Sequence, residues 1–351
     1  MSRTRRKDRV PIVILCFVCL TLLALGGYAA VLRLRANAPE AVVRTVETHL
    51  PTPSPAIEAQ AATPEPTETP VFVTPAPQTS ETAESAPFWS EGILRSDAEY
   101  RSPTLFVTVR KVRDKSSFRS AAVYYVADVY VKDVTQIMTA SAKGDFARRG
   151  HGDVAVMAKK ADALLAISGD YYSAHNSSLV VRNGVAYRTS TGYGDVCVLL
   201  KNGEMETIRR NDVSVAKILE KDPWQVWEFG PALLDENGKA RTSFPESHIA
   251  GTNPRACIGY VEPGHYLFVV ADGRQNATRG MRLADLAALM ESLGCKTAFN
   301  LDGGASAHFY WKNRIYNQPC NGGREISDII YIAKEPYHES RFFCGKAGTN
   351  K

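Results

Sequence analysis

The sequence predicts an α+β fold of mixed β-sheets with many hairpins and packed helices, carried behind one N-terminal transmembrane helix. Three observations predict it. From about Trp89 to Tyr331, short apolar runs alternate with turn residues, the pattern of strands joined by hairpins. Only two stretches in that region place apolar residues at helical spacing. Near the N-terminus, a long uncharged run follows a basic cluster.

The basic cluster is Arg3, Arg5, Arg6, Lys7 and Arg9. The run from Val10 to Leu32 is long enough to cross the roughly 30 Å hydrocarbon core of a bilayer. Residues 1–9 are therefore expected to form a cytoplasmic tail and residues 10–32 a signal anchor. A cleaved signal peptide is the alternative, but its apolar region would span about 7–15 residues and end in a small-residue cleavage site. Here Ala36-Asn37-Ala38 comes only after Arg33 and Arg35. Basic residues stay on the cytoplasmic side, which makes this a single-pass cell-membrane protein with an extracytoplasmic C-terminal part. The bilayer is then a partner through residues 10–32.

The formal net charge of +5 belongs to that anchor, because residues 1–35 hold seven Lys or Arg against Asp8 alone. The near-neutral body has no electrostatic footprint for nucleic acid. Residues 33–87 carry Pro51, Pro53, Pro55, Pro64, Pro66 and Pro70 among Thr, Glu, Ser and Ala. Such a segment cannot bury a core and is expected to be an extended, semi-rigid spacer. A folded domain over 88–335 and a tail over 336–351 complete the chain.

Within the domain, Asp153 is placed to cap a helix running through Val154, Met157, Ala161, Leu164 and Leu165, followed by a strand Ala166-Ile167-Ser168. Leu179 to Tyr187 reads as a hairpin turning at Asn183-Gly184, since both central residues of a type I′ turn need positive φ. Asn202-Gly203 and Asn237-Gly238 repeat that signal. A second helix puts Leu283, Leu286, Ala287, Met290 and Leu293 on one face, stops at Gly294, and leads into a strand over Lys296 to Leu301. Of seven cysteines, Cys16 and Cys19 lie in the apolar run. Cys197, Cys257, Cys295, Cys320 and Cys344 remain, an odd number without CxxC or Cys/His spacing, and read mainly as buried thiols.

Polar residues gather where apolar strands end: Gly169-Asp170-Tyr171-Tyr172 after Ser168, Asp272-Gly273-Arg274 after Ala271, and Asp302-Gly303-Gly304-Ala305-Ser306 after Leu301. A buried strand stopping at Asp-Gly offers a carboxylate at a fixed sheet edge beside an approachable backbone. An ordinary turn reads the same way. Tyr171, Tyr172 and Trp311 are candidates to stack on sugars or to fill the core. His175 to Ser178 is a polar loop, and His308, flanked by Ala307, Phe309, Tyr310 and Trp311, reads as structural.

The ordered blocks Asn253-Pro254-Arg255-Ala256-Cys257-Ile258-Gly259, Val269 to Arg274, Gly280-Met281, Asn300-Leu301-Asp302-Gly303-Gly304 and Gly322 to Asp328 resemble the phosphodiester glycosidase family, over roughly Ala163 to Ile332. The resemblance implies the family's fold and hydrolysis of a sugar-1-phosphodiester. It implies catalytic residues among Asp302, Asp170 and Asp272, and substrate-binding residues Arg255, Arg274, Asn300, Gly303, Gly304, Ser306 and Arg324. The sequence departs from the family's small, hydroxyl-rich run at Ala305, Ala307, His308 and Phe309, where Ser306 alone keeps a hydroxyl. Ser168 also stands where Asn is frequent.

A sugar-1-phosphodiester has a weakly basic leaving group, so strong general-acid help matters little. Its anion suits the bidentate forks of Arg255, Arg274 and Arg324, and one carboxylate serves the oxocarbenium-like carbon or its attacking water. The expected partner is an envelope or exopolysaccharide glycan; no cofactor is required, and a divalent metal is possible. Two other readings stay open: a noncatalytic envelope-glycan-binding module, and a metal-dependent phosphodiesterase using Asp170, Asp272 and Asp302 as oxygen ligands.

Overall fold

A computed structural model of the chain describes residues 89–115, 121–190, 192–244 and 248–337. The tail, anchor and spacer expected over residues 1–87, the C-terminal segment from 338, and Cys16, Cys19 and Cys344 lie outside the described residues. Among those described, no helix is long and apolar enough to cross a membrane.

Among the described residues seventeen strands follow one another in chain order. The first five are β1 (Leu94–Arg95), β2 (Glu99–Arg101), β3 (Leu105–Asp114), β4 (Ala122–Val131) and β5 (Ile137–Ser141). After helix α1 (Val154–Lys160) come β6 (Ala163–Ser168), β7 (Leu179–Arg182), β8 (Val185–Thr189), β9 (Asp195–Leu200) and β10 (Met205–Ile208). Helix α2 (Val215–Glu220) precedes β11 (Pro223–Phe229), β12 (Arg255–Glu262) and β13 (His265–Ala271). Helix α3 (Leu283–Ser292) precedes β14 (Thr297–Asn300), β15 (Phe309–Trp311), β16 (Arg314–Ile315) and β17 (Asp328–Ala333).

The strands form three sheets, ordered β1-β2-β3-β4-β13-β12-β14, β10-β9-β11-β7-β8 and β16-β15-β6-β17-β5. The sheet-rich α+β expectation is met, with consecutive strands making seven of the fourteen pairings among the described residues. Every strand pairing among the described residues is antiparallel, so they carry no parallel component of the kind a mixed sheet implies. Short hairpins account for the pairs of consecutive strands, since parallel neighbours need a long crossover.

Local signals hold where the chemistry is local. Asn183 and Gly184 take φ of 53° and 78°, the type I′ pair joining β7 to β8. At the other two Asn-Gly steps only the glycine is left-handed: Gly203 closes the longer β9–β10 turn, and Gly238 a turn secured by the single bridge Leu234–Ala240. Asp153 caps α1, its Oδ1 accepting from Val156 N at 2.9 Å. That helix ends at Lys160, however, and Leu164 and Leu165 belong to β6, where pairing with β17 and β15 outweighs helical spacing. Helix α3 buries Leu283, Leu286, Ala287 and Met290 against the outer face of the seven-stranded sheet, together with Cys257, Val269 and Ala298. Helix α2 gave no clear sequence signal, having only Ile218 buried.

The four cysteines among the described residues are buried free thiols. Cys257 lies 3.5 Å from the Met290 sulfur, and burial pushes its pKa well up. The larger apolar core joins all three sheets, with Val107, Ile167, Trp227, Ile258, Phe299 and Ile330 among its members. The sheets therefore cannot shift independently, which holds their ends in fixed relation.

Candidate active site

Those ends meet around Asp302. Leu301 N donates to Ala256 O at 2.8 Å, Asp302 N to Gly169 O at 3.0 Å, and Gly304 N to Pro254 O at 3.0 Å. Ser168 Oγ donates to Asp302 O at 2.8 Å. The turn after β14 is thus stitched to the end of β6 and the start of β12. Gly303 is required by that approach, because a Cβ there would stand 2.6 Å from Pro254 O.

The Asp302 carboxylate is buried, at 6% exposure, yet opens into the cleft. Arg324 Nη2 donates to both its oxygens, at 3.2 and 3.0 Å. Arg324 Nε donates to Ser306 Oγ at 2.6 Å, and the guanidinium lies over the Tyr171 ring, 5.0 Å from its centroid. Three contacts therefore aim a side chain that remains 45% exposed. Burial raises the Asp302 pKa above the ordinary carboxylate value, while Ser306 and Arg324 pull it back.

The cleft has two lobes. One, of about 420 Å³, is bordered by Asn253, Arg255, Arg274, Gly303, Gly304 and Arg324. The other, of about 870 Å³, is walled by Tyr171, His175, Tyr193, Gly230, Pro231 and the Arg209–Asp212 loop. Phe229, His248, Ile249 and Asp302 border both. A basic lobe and a lobe of aromatic and charged residues, Arg209 and Arg210 among them, thus share one carboxylate.

The predicted arginines do different jobs. Arg274, exposed and held at a φ of 55°, donates from Nε and Nη2 to Asn253 Oδ1 at 3.2 and 2.8 Å, over Gly304. Arg255 does not present the free fork expected of it. Its Nε donates to Met281 O at 2.9 Å, and its Nη2 to Ile249 O at 2.6 Å and to Gly251 O. A buried guanidinium must satisfy its donors, so most of this one ties the cleft wall together. Burial, with repulsion from Arg274, lowers its pKa to about 10.

Three more predicted residues sit behind the cleft. Asp170 is buried, and its carboxylate accepts from Tyr172 N at 3.2 Å and Glu228 N at 2.8 Å and lies 2.7 Å from Arg182 Nη2. Asn300 Nδ2 donates to Gly230 O at 2.8 Å, bracing the Gly230-Pro231 wall from behind. Asp272 accepts from Asn317 Nδ2 and Gln318 N, each at 3.0 Å, and from Tyr125 OH at 3.2 Å. Burial raises its pKa and those donors oppose the rise. Asp272→Asn would set an amide NH2 against a group that now donates to the carboxylate, and is expected to cost about 2 kcal/mol of stability while leaving kcat near wild type. A urea melt beside kinetics checks this; an inactive but fully stable variant would return Asp272 to the site.

Asp170, Asp272 and Asp302 therefore address separate partners. Among the described residues no group of three or more His, Cys, Asp or Glu is arranged to hold a metal ion. In the run departing from the family pattern, Ala305 borders the basic lobe and Ser306 holds Arg324, while Ala307, His308 and Phe309 are buried. His308 Nδ1 lies 2.8 Å from Ser306 O, and burial lowers its pKa, as suits a structural imidazole.

Sequence reading missed Tyr193, Glu228, Arg182 and the Arg209–Asp212 loop. The Tyr193 ring lies tilted against His175, centroids 3.6 Å apart, and its hydroxyl donates to Glu228 O at 3.0 Å. Glu228 is a buried carboxylate accepting from Leu179 N at 2.8 Å and Gly194 N at 3.2 Å. Its only sequence signal was a charge inside the apolar strand β11.

The described residues thus form an antiparallel-sheet domain whose strand ends enclose a two-lobed cleft with one buried carboxylate at the junction. Residues 161–333 match the sequence profile described as phosphodiester glycosidase, so this part of the chain carries a domain similar to that family. Over 197 residues, 53% of this chain, it is 27% identical to the SPbeta prophage-derived uncharacterized protein YomE of Bacillus subtilis (strain 168), of whose length it spans 30%. In fold it is similar to the catalytic domain of zebrafish N-acetylglucosamine-1-phosphodiester alpha-N-acetylglucosaminidase, a structure auto-inhibited by its pro-peptide. The TM-score is 0.55 at 20% identity, covering 70% of this chain and 88% of that one.

Proposed function

We propose that this protein is a membrane-anchored, extracytoplasmic hydrolase that removes a sugar from a sugar-1-phosphodiester of an envelope or exopolysaccharide glycan. The observation that carries the reading is the position of Asp302, on the border between a lobe rich in arginine and a lobe walled by Tyr171 and Tyr193. A phosphodiester in the first lobe and its sugar in the second put the anomeric carbon beside that carboxylate.

Arg274 and Arg324 then hold the phosphoryl oxygens through charge-assisted hydrogen bonds. Tyr171 and Tyr193 offer ring faces and a hydroxyl to the sugar. Water attacks the anomeric carbon, its proton passes to Asp302, the carbon–oxygen bond breaks, and the electron pair leaves on the phosphate. Asp302 must be ionised to accept that proton. Because burial raises its pKa, activity is lost on acidification at a higher pH than a solvated carboxylate would give.

Hydrolysis in ¹⁸O-water tests which bond breaks. The compound named for the zebrafish relative, an N-acetylglucosamine-1-phosphodiester, is the first to assay, followed by other sugars in both anomeric linkages. Label is expected in the sugar hydroxyl, with an unlabelled phosphomonoester on the other fragment. Label in the phosphate means P–O cleavage and sinks the glycosidase reading, and binding without turnover by the whole panel points to the glycan-binding module.

The membrane placement rests on the basic cluster before Val10 and the apolar run to Leu32. Protease added to intact spheroplasts is expected to digest or release the domain. Protection until lysis reverses the orientation.

A further inference from the structure

We propose that Arg182, with Asp170 and Asp328, is the positioning element for Asp302: a buried unit tying two sheets together beneath the reactive carboxylate and fixing its orientation and charge. The proposal rests on the glycosidase reading.

Arg182 ends β7 with no exposure at all. Its Nη2 lies 2.7 Å from Asp170 Oδ1 and 3.4 Å from Asp328 Oδ2. Its Nη1 donates to Val181 O at 3.2 Å and also to Val226 O of β11. One guanidinium thus joins the five-stranded sheet of β7 and β11 to the five-stranded sheet of β6 and β17. The connection continues to Asp302 through Gly169. Gly169 N donates to Asp328 O at 3.0 Å, and Gly169 O accepts Asp302 N at 3.0 Å. A Cβ on Gly169 would stand 2.3 Å from Asp328 Oδ1, so the carboxylate packs directly on the peptide that holds Asp302.

Stability alone is a poor reason for such a unit. Desolvating a cation and two carboxylates is expensive, and apolar residues of similar size often replace buried ion pairs with no loss of stability. Two atoms here even lack hydrogen-bond partners, Arg182 Nε and Asp328 Oδ1. The unit also bears on charge. Around it stand Asp302, Glu228, Arg188 and the phenols of Tyr172 and Tyr193, and the Phe146 and Tyr172 rings flank the guanidinium at 5.8 Å each. Burial opposes the Arg182 charge, and Asp170 and Asp328 more than restore it. Burial, with repulsion from Asp170, pushes the Asp328 carboxyl up to about 8. One proton therefore stays on Asp328 at neutral pH, and its carboxyl adds no charge beneath Asp302. When that proton is lost, a second negative charge beneath Asp302 opposes the negative charge that builds on the departing phosphate.

The sign of the linkage follows. A carboxyl whose folded pKa is raised favours the native state fully below the unfolded carboxylate pKa, and the contribution erodes as pH rises and is gone above about 8. The melting temperature of the full-length protein is expected to fall between pH 5 and pH 9, and to fall less in Asp328→Asn, which cannot ionise. An identical slope in the two proteins overturns the assignment of the proton.

Kinetics on the sugar-1-phosphodiester of the labelling experiment decide the positioning role. Arg182→Met is expected to melt cooperatively and to lose at least 100-fold in kcat with KM within threefold. Arg182→Lys is expected to recover part of that loss, and Asp328→Asn to lose the alkaline limb near pH 8. If Arg182→Met does not fold, the Asp328→Asn profile alone decides. A folded Arg182→Met with wild-type kcat, or an unchanged alkaline limb in Asp328→Asn, overturns the role. Absence of turnover in the wild type overturns the glycosidase reading itself, and the positioning role with it.

Discussion

Asp302→Asn is expected to lower kcat by roughly 1,000-fold, within the range that a positioned acid or base contributes. The substitution keeps the size of the side chain and removes the charge that takes the proton from water. Folding should survive, because the turn is held by its backbone: Asp302 N on Gly169 O, Asp302 O on Ser168 Oγ and Leu301 N on Ala256 O do not involve the carboxylate. Arg324 would face a neutral amide, and substrate binding should hold or tighten as its guanidinium is released to the phosphate. Steady-state kinetics with a melting curve measure this. A folded variant with wild-type kcat would move the chemistry elsewhere, and no other aspartate of the predicted catalytic set opens into either lobe.

Arg324→Ala is expected to reduce kcat/KM by about 100- to 1,000-fold, the usual cost of removing a donor aimed at developing charge. It also removes a group that lowers the Asp302 pKa. The acid limb of the pH profile should therefore move to higher pH, with activity disappearing earlier on acidification. Arg324→Lys should restore part of the charge effect on that limb but little of the rate. An ammonium cannot donate to Ser306 and Asp302 through separate arms as Nε and Nη2 do here. An acid limb that stays in place in Arg324→Ala would show that the ion pair does not tune Asp302.

The two variants separate the roles of the pair. In the free protein Arg324 neutralises the carboxylate it is proposed to serve. A phosphate entering the basic lobe competes for Nη2 and leaves Asp302 the stronger base when substrate is present. The cation–π contact with Tyr171 keeps the guanidinium in place during that exchange.

Much of this was legible in the sequence by itself. Asn183-Gly184 specifies its hairpin because only residues tolerant of positive φ fit a type I′ turn, and Asp153 specifies a helix start because its carboxylate meets an orphan N–H. Asp302-Gly303-Gly304 was legible for a similar reason. The strand must end there, and the glycine must admit Pro254 O. The order of the motif blocks also pointed to the family that the domain match bears out.

What the sequence could not fix was direction. Asp170, Asp272, Arg255 and Arg274 stand in equally polar strand-end motifs, yet only Arg274 opens freely to the cleft. Arg255 is turned onto backbone carbonyls, Asp170 onto Arg182, and Asp272 onto Asn317. Leu164 and Leu165 went to a strand rather than a helix because sheet partners far along the chain claimed them. Arg182 showed nothing beyond one charge before a turn, and Glu228 nothing beyond one charge in an apolar strand. Their surroundings are assembled from β6, β7, β11 and β17, segments separated by up to about 150 residues. Local propensity is written in neighbours along the chain, whereas desolvation and charge pairing depend on neighbours in space, and only the packing of the three sheets decides which those are.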